Sequence, residues 1–300
     1  MSELLAIETV DLHKTYGSVE ALRGLNLEVP AGTIFGFLGR NGAGKTTAIK
    51  ILLGMARPTQ GAARVFGLDA AVQSSSVAVR ARTGFVSEDK DLLGQLTVAQ
   101  AIRFTAAFYP RWRRDQEQHY LTRFELPADR KVKDLSRGTR TKLALLLALC
   151  RGAELLVLDE PTSGLDPATA EEVLHALVAA VAGGETTVFF SSHQIAEVDQ
   201  IADRIAIVDR GRVVVTGGLD DLRASYRRIQ LVFDGAAPEP AFRSPGLVRV
   251  VRNHRVLSVI VSGGADRLID EARRLQPVSI DTEPLTLKDV FLETVAREED

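Results

Sequence analysis

The chain has 300 residues, more than one small domain needs, with 45% hydrophobic and 25% charged residues and a formal net charge of -2. That balance gives no global electrostatic reason to expect nucleic acid, which favours a strongly basic face, so a nucleic-acid partner is not expected. A single cysteine, Cys150, excludes an intrachain disulfide framework and fits a reducing compartment.

The opening MSELLAIETVD has no basic start followed by an apolar core, so no signal peptide is expected. Short β-rich runs follow at Leu5–Val10, Leu25–Val29 and Thr33–Leu38, bounded by Gly and Pro. From Lys45 the pattern turns helical through KTTAIKILLGM. A strand at Gly84–Ser87 precedes a largely helical stretch from about Thr97 to Cys150, in which AQAIRFTAAFY and EQHYLTRFEL carry apolar residues at helical spacing. Phe104, Phe108 and Tyr109 are expected to pack inside this helical part. Its most apolar run, Leu143–Cys150, is far short of the roughly 20 residues that span a bilayer, so any membrane role comes through a partner.

Alternation then resumes: strand Leu155–Leu158, helix Ala168–Ala182, strand Thr187–Ser191, and strands near Ile205–Val208 and Arg212–Thr216. Strands alternating with helices predict parallel pairing in a sheet covered on both faces, an α/β fold. Asp166 is placed to cap the helix after it, with Pro167 at the first helical position. Near Leu219 the character changes. The Ala-, Pro- and Gly-rich segment Gly235–Gly246 reads as a loop between strands Ile229–Phe233 and Val248–Val251. A last helix, about Leu287–Ala296, starts at Thr286 with Asp289 three residues on, close to a capping box. Two domains are expected: residues 1–218, with a helical subdomain at about 89–150, and a small α/β domain at 219–300.

The run Thr33–Leu38 leads directly into GRNGAGKTT and then a helix, which is the G-x-x-x-x-G-K-[ST] phosphate-loop pattern in its confirming context. Glycines let successive backbone N–H groups face one anionic centre, and the helix N-terminus adds free donors and partial positive charge. Gly39, Asn41, Gly42, Ala43, Gly44, Lys45, Thr46 and Thr47 form the candidate phosphate site. Lys45 is placed to reach the β- and γ-phosphates, and the Thr46 hydroxyl to ligand Mg²⁺. A solvated Gly-rich turn is the bland alternative; the spacing alone arises by accident in on the order of 1 in 100 chains of this length.

The second half of such a centre is a carboxylate at the end of a buried strand. LLVLDE supplies Asp159, expected to hold Mg²⁺, and Glu160, expected to polarise the attacking water.

Leu135-Ser136-Arg137-Gly138-Thr139, just ahead of a helix and about 20 residues before Asp159, resembles the Leu-Ser-Gly-Gly-Gln signature of ABC ATPases. Other landmarks of that family stand in order between Ile7 and Gly217. Tyr16 matches the aromatic that stacks on adenine, Ser163-Gly164-Leu165-Asp166 the D-loop, and His193 the switch histidine at the γ-phosphate. The resemblance implies a P-loop ABC-ATPase fold with a β-rich N-terminal subdomain, a parallel-sheet core and a helical subdomain. It also implies an ATPase using ATP and Mg²⁺, in a head-to-tail homodimer or heterodimer. Each ATP would lie between the phosphate loop of one copy and Ser136–Gly138 of the other. The implied partners are integral-membrane permease chains, and the implied location is the cytoplasmic face of the cell membrane.

Three positions depart from the family pattern. Glu88 stands where a glutamine that reaches Mg²⁺ is usual, Arg137 replaces the first signature glycine, and Thr139 replaces the signature glutamine. Arg137 is expected to point to solvent. The SED segment, the basic signature residue and PLTLKDVFLETV at Pro284–Val295 resemble a bacterial exporter-type subgroup with separate permeases. A ribosome- or DNA-directed ABC ATPase is the competing function; one cassette, no long heptad array and no cysteine cluster argue against it. A regulatory ATPase whose C-terminal domain binds an effector is a third. The four histidines other than His193 lack ligand spacing. Arg111–Arg114, around the only Trp, reads as a solvated loop, and Cys150 as a small packed hydrophobe.

Overall fold

A computed structural model describes residues 4–184 and 186–295. They fall into two compact units, Met1–Val213 and Val214–Asp300.

The first unit opens with β1 (Leu5–Tyr16) and β2 (Val19–Pro30), both longer than the runs legible in the sequence. They pair antiparallel from Leu5↔Pro30 to Tyr16↔Val19, with register shifts at several points along β1. Next come β3 (Ile34–Gly39) and α1 (Lys45–Leu52), then β4 (Gln60–Val65), β5 (Leu68–Asp69), α2 (Gln73–Arg82) and β6 (Thr83–Val86). The first sheet has the order β2-β1-β4-β5. Strands β4 and β5 and helix α2 were not expected: Gly-Ala-Ala in β4 and the serines of α2 carry almost no apolar period.

The stretch read as largely helical is three helices: α3 (Val98–Ala106), α4 (Arg114–Arg123) and α5 (Arg137–Leu149). Pro110 and Pro127 stand in the breaks, where a missing N–H and ring clash stop a helix. Thr97 and Gln100 close a full capping box on α3. Phe104 and Phe108 are a correction. They are 50% and 66% exposed and meet edge to face at 5.2 Å between centroids, because they lie on the outer side of α3 and the turn after it. Tyr109 is half-buried beneath the Arg151 guanidinium, 3.9 Å from its ring centroid.

Beyond lie β7 (Leu155–Asp159), α6 (Pro167–Val181), β8 (Thr187–Ser192), α7 (Ile195–Ile201), β9 (Arg204–Asp209) and β10 (Arg212–Gly218), which carries the division between the units. The second sheet has the order β10-β9-β3-β8-β7-β6, and the pairs β9/β3, β3/β8, β8/β7 and β7/β6 are parallel. Every residue of β3, β7 and β8 is buried, as expected for a doubly covered parallel sheet. Phe37 and Phe189 from neighbouring strands pack with centroids 5.2 Å apart in its core.

The second unit holds α8 (Leu219–Ser225), β11 (Arg227–Val232), β12 (Leu247–Asn253), β13 (Val256–Val261), α9 (Ala265–Arg273), β14 (Ser279–Pro284) and α10 (Leu287–Val295). Its sheet is antiparallel, in the order β12-β13-β11-β14, and packs its own core around Ile229, Leu231, Val259 and Leu268. The expected loop after β11 is a loop. It is tied to α9 by Glu271, which accepts from the Arg243 N–H and the Ser244 hydroxyl at 2.9 and 3.0 Å. Thr286 and Asp289 cap α10 reciprocally; Ala296, expected as its last residue, lies outside the described residues.

Candidate active site

Four adjacent strands end on the same edge of the parallel sheet, and each delivers a candidate residue there. Strand β3 ends in the phosphate loop, β8 runs into His193, β7 ends at Asp159 ahead of Glu160, and β6 is followed by Glu88. The carboxyl edge of such a sheet is where ligands of open α/β folds bind.

A cleft of about 450 Å³ opens there, lined by Asn41, Gly42, Gly44, Lys45, Thr46, Thr47, Glu88 and Glu160, with Val19–Ala21 of β2 as its side wall. Gly44, at φ 103, precedes α1, and a Cβ on it would fall 2.6 Å from the Ala21 carbonyl oxygen. Only glycine fits this point, and its fit brings the loop's backbone against β2. Buried Lys45 donates from Nζ to the Gly39 carbonyl at 2.8 Å, and its ammonium lies 3.1 Å from Glu160 Oε1. That second contact has ion-pair distance without hydrogen-bond alignment, so Oε1 lacks a directed donor.

Asp159 and Glu160 are 2% and 5% exposed. Ser191 serves both: its hydroxyl donates to Asp159 Oδ1 at 2.6 Å and accepts from the Glu160 N–H at 3.0 Å. Glu160 Oε2 meets His193 Nδ1 at 2.8 Å. Glu160 also has φ 48, a left-handed backbone that non-glycine residues adopt at a cost, and such strain gathers at functional sites. Lys90, 4% exposed, donates from Nζ to the Glu160 carbonyl at 3.1 Å. Burial pushes the Lys90 ammonium below its usual range and Arg137 adds to that, against the raising influence of Glu88, Asp159 and Glu160.

The remaining expected residues lie around this centre. Tyr16 is exposed at the end of β1 with the Lys14 ammonium 4.7 Å from its ring centroid. Ser136, Gly138 and Asp166 do not line the cleft. Ser136 caps α5, its hydroxyl oxygen accepting from the Thr139 N–H at 3.1 Å. Asp166 caps α6 with Pro167 in the first turn, and hydrogen bonds from Thr169 hold its carboxyl below the usual range. Arg137 is exposed yet does not simply point to solvent. A Cβ on Gly164 would fall 2.5 Å from its Cζ, so the guanidinium lies on the bare backbone that this glycine presents.

Residues 22–163 match the model of the ABC transporter family. The chain is 37% identical over 299 residues to the daunorubicin resistance ATP-binding protein DrrA3 of Streptomyces coeruleorubidus, covering 96% of this chain and 93% of the relative. The chain belongs to the ABC transporter family. It is an ATP-binding, ATP-hydrolysing subunit of that family. It is also 34% identical over 224 residues to the bacitracin transport ATP-binding protein BcrA of Bacillus licheniformis, covering 74% and 72% of the two chains. Among solved structures, cbiO1 of Clostridium perfringens, part of the ABC transporter complex cbiONQ, superposes with a TM-score of 0.63 at 26% identity. That match covers 72% of this chain and 89% of that one.

Two residues of this ABC subunit's centre went unread in the sequence. Ser191 stood in FFSSH beside His193, and Lys90 two positions past Glu88; both were in view, but their partners come from a different strand. Arg111 and Arg114 are solvent-exposed, as expected, and the cluster is tied down by acidic partners. Trp112 Nε1 donates to Glu117 Oε2 at 2.6 Å, Arg114 pairs with the same carboxylate at 3.1 Å, and Arg111 stands 3.6 Å from Glu154. Cys150 packs fully buried at the end of α5, its thiol pushed up to about 12 by burial. Among the described residues, no group of three or more His, Cys, Asp or Glu is placed to hold a metal, and no helix is long and apolar enough to cross a membrane.

Proposed function

We propose that the 450 Å³ cleft is a MgATP hydrolysis site and that two cassettes close around ATP to drive export through separate membrane permeases. The observation that carries the reading is Glu160. One buried carboxylate joins the lysine of the phosphate loop, at 3.1 Å, to His193, at 2.8 Å. In that position Glu160 orients the attacking water and accepts its developing charge, while Lys45 and the N–H groups at the start of α1 bind the β- and γ-phosphates. His193 touches the γ-phosphate from the far side of the same carboxylate. Tyr16 offers its exposed ring to the adenine.

Thr46, Glu88 and Asp159 are the Mg²⁺ ligands in this reading. All three offer hard oxygen donors, and Thr46 and Asp159 share the wall of the adjoining groove, which suits an ion that takes most of its shell from phosphate and water. Held by these residues, Mg²⁺ would supply charge neutralisation for the bound triphosphate.

Ser136, Gly138 and Asp166 lie outside their own chain's cleft, which supports their use by a second copy. The Ser136 oxygen accepts the cap bond and shares a 2.8 Å hydrogen bond with the Thr139 hydroxyl; with Thr139 as the donor in that pair, the Ser136 proton is left to donate to a phosphate across the interface. ATP reaches both halves and ADP does not, so binding closes the pair and hydrolysis opens it. The relatives named for drug resistance and bacitracin transport support export, and the membership of cbiO1 in a transporter complex supports separate membrane chains. The working location is the cytoplasmic face of the membrane. Residues 1–218 act as the ATP-binding domain and 219–300 as an accessory domain.

Hydrolysis by Glu160→Gln tests the assignment. Steady-state phosphate release should vanish while ATP still binds; wild-type turnover in that variant would remove Glu160 from the chemistry.

A further inference from the structure

Eight non-glycine residues among those described have positive φ, and two of them face each other across the catalytic edge. Lys90 has φ 50 and Glu160 has φ 48, and the Lys90 ammonium donates to the Glu160 carbonyl at 3.1 Å. That carbonyl also accepts the Ser163 N–H, at 3.3 Å, while the Glu160 N–H is held by Ser191. Both polar groups of the Glu160 peptide backbone are thus tethered, the oxygen by Lys90 and the nitrogen by Ser191. A non-glycine residue with such a backbone persists only where its surroundings over-determine it.

We propose that Lys90 is a positioning residue: it fixes the strained Glu160 turn, and so aims the carboxylate, from a segment that also lines the neighbouring groove. The inference rests on the assignment of Glu160 above. Residues Ser87–Leu92 form one wall of that groove, of about 570 Å³, with Met55, Thr105 and Leu147 among the other lining residues. Lys90 is nearly buried and its backbone N–H bonds back to the Ser87 carbonyl at 3.2 Å, so the segment is a compact turn. Lys90 holds the Glu160 carbonyl from outside the nucleotide cleft: it lines the groove, not the 450 Å³ cleft.

The test uses the full chain with Lys90→Met, Lys90→Arg and, in parallel, Glu160→Gln. Lys90→Met should lower kcat about tenfold or more, since small misplacement of a catalytic group carries large rate penalties. The dissociation constant for a fluorescent ATP analogue with Mg²⁺ should stay within about twofold, because only the transition-state geometry has been disturbed. Lys90→Arg keeps a buried cationic donor and should recover most of the loss. A second readout is independent of turnover. Hydrogen exchange at the Ser163 amide should quicken in folded Lys90→Met or Lys90→Ala and stay slow in Lys90→Arg. The inference is overturned by wild-type kcat in Lys90→Met, by affinity falling in step with kcat, by Lys90→Arg as impaired as Lys90→Met, or by unchanged Ser163 exchange. Loss of activity in Glu160→Gln with normal turnover in Lys90→Met sinks this inference alone; normal turnover in Glu160→Gln sinks the assignment beneath it.

Discussion

Lys45 and Glu160, 115 residues apart in the sequence, bring an ammonium and a carboxylate oxygen to 3.1 Å with both side chains almost wholly buried. The strands that lead to them are not neighbours: β8 runs between β3 and β7, and Ser191 near its end and His193 just past it join the same cluster. A buried charge pair of this kind is poor evidence for stability, because desolvation offsets its attraction. Its presence at the mouth of a glycine-lined cleft speaks for chemistry.

Replacing Lys45 separates binding from stability. Lys45→Ala removes the cation at the phosphate loop and should weaken ATP binding by about 2–5 kcal/mol, roughly thirtyfold or more. Equilibrium titration with a fluorescent ATP analogue measures it; unchanged affinity would contradict the phosphate-site assignment.

Ser191 holds Asp159 and Glu160 together through one hydroxyl. Ser191→Ala leaves a buried carboxylate oxygen and a buried N–H short of a partner, at a cost of about 1–3 kcal/mol for each. Urea denaturation should show a lower midpoint with the slope unchanged, and turnover should fall as well because Glu160 loses its backbone anchor. A variant with wild-type midpoint and kcat would show the hydroxyl to be dispensable.

Glu154 offers a pH-dependent prediction away from the site. Hydrogen bonds from Arg82, at 2.6 and 3.0 Å, hold its carboxyl below its ordinary value of 4.5. A depressed folded-state pKa contributes stability that is fully present above the unfolded value and disappears as pH falls through the folded one. The stability difference between wild type and Glu154→Gln should therefore be constant from neutrality down to about pH 5 and shrink below about 4.5. Thermal melts across that range check it; a difference that does not shrink in acid would mean that the carboxylate's charge contributes nothing.

The parts of the site that could be read in the sequence are those whose meaning is local. The glycines, Lys45 and Thr46 sit within one turn, Asp159 and Glu160 follow one apolar strand, and His193 follows another. Lys90 and Ser191 were unreadable for the opposite reason: their roles depend on the order β3-β8-β7-β6, which spacing along the chain does not encode. Helix α2 escaped because its buried positions are Ser76 and Val79 alone, too few for a 3.6-residue period to emerge. Phe104 and Phe108 misled because apolar residues at helical spacing reveal a face without revealing whether anything covers it. Arg137 was expected in water because arginine usually is; its seat on Gly164 exists only because the D-loop glycine has no side chain.

A chain that binds ATP without hydrolysing it tests the proposed shared site most directly. Purified Glu160→Gln should elute from size exclusion as a dimer in ATP and as a monomer in ADP or without nucleotide, if, as proposed, Ser136 and Gly138 of each copy complete the other's site only while the γ-phosphate is present. A variant that binds ATP to saturation yet elutes as a monomer throughout would contradict the shared-site mechanism.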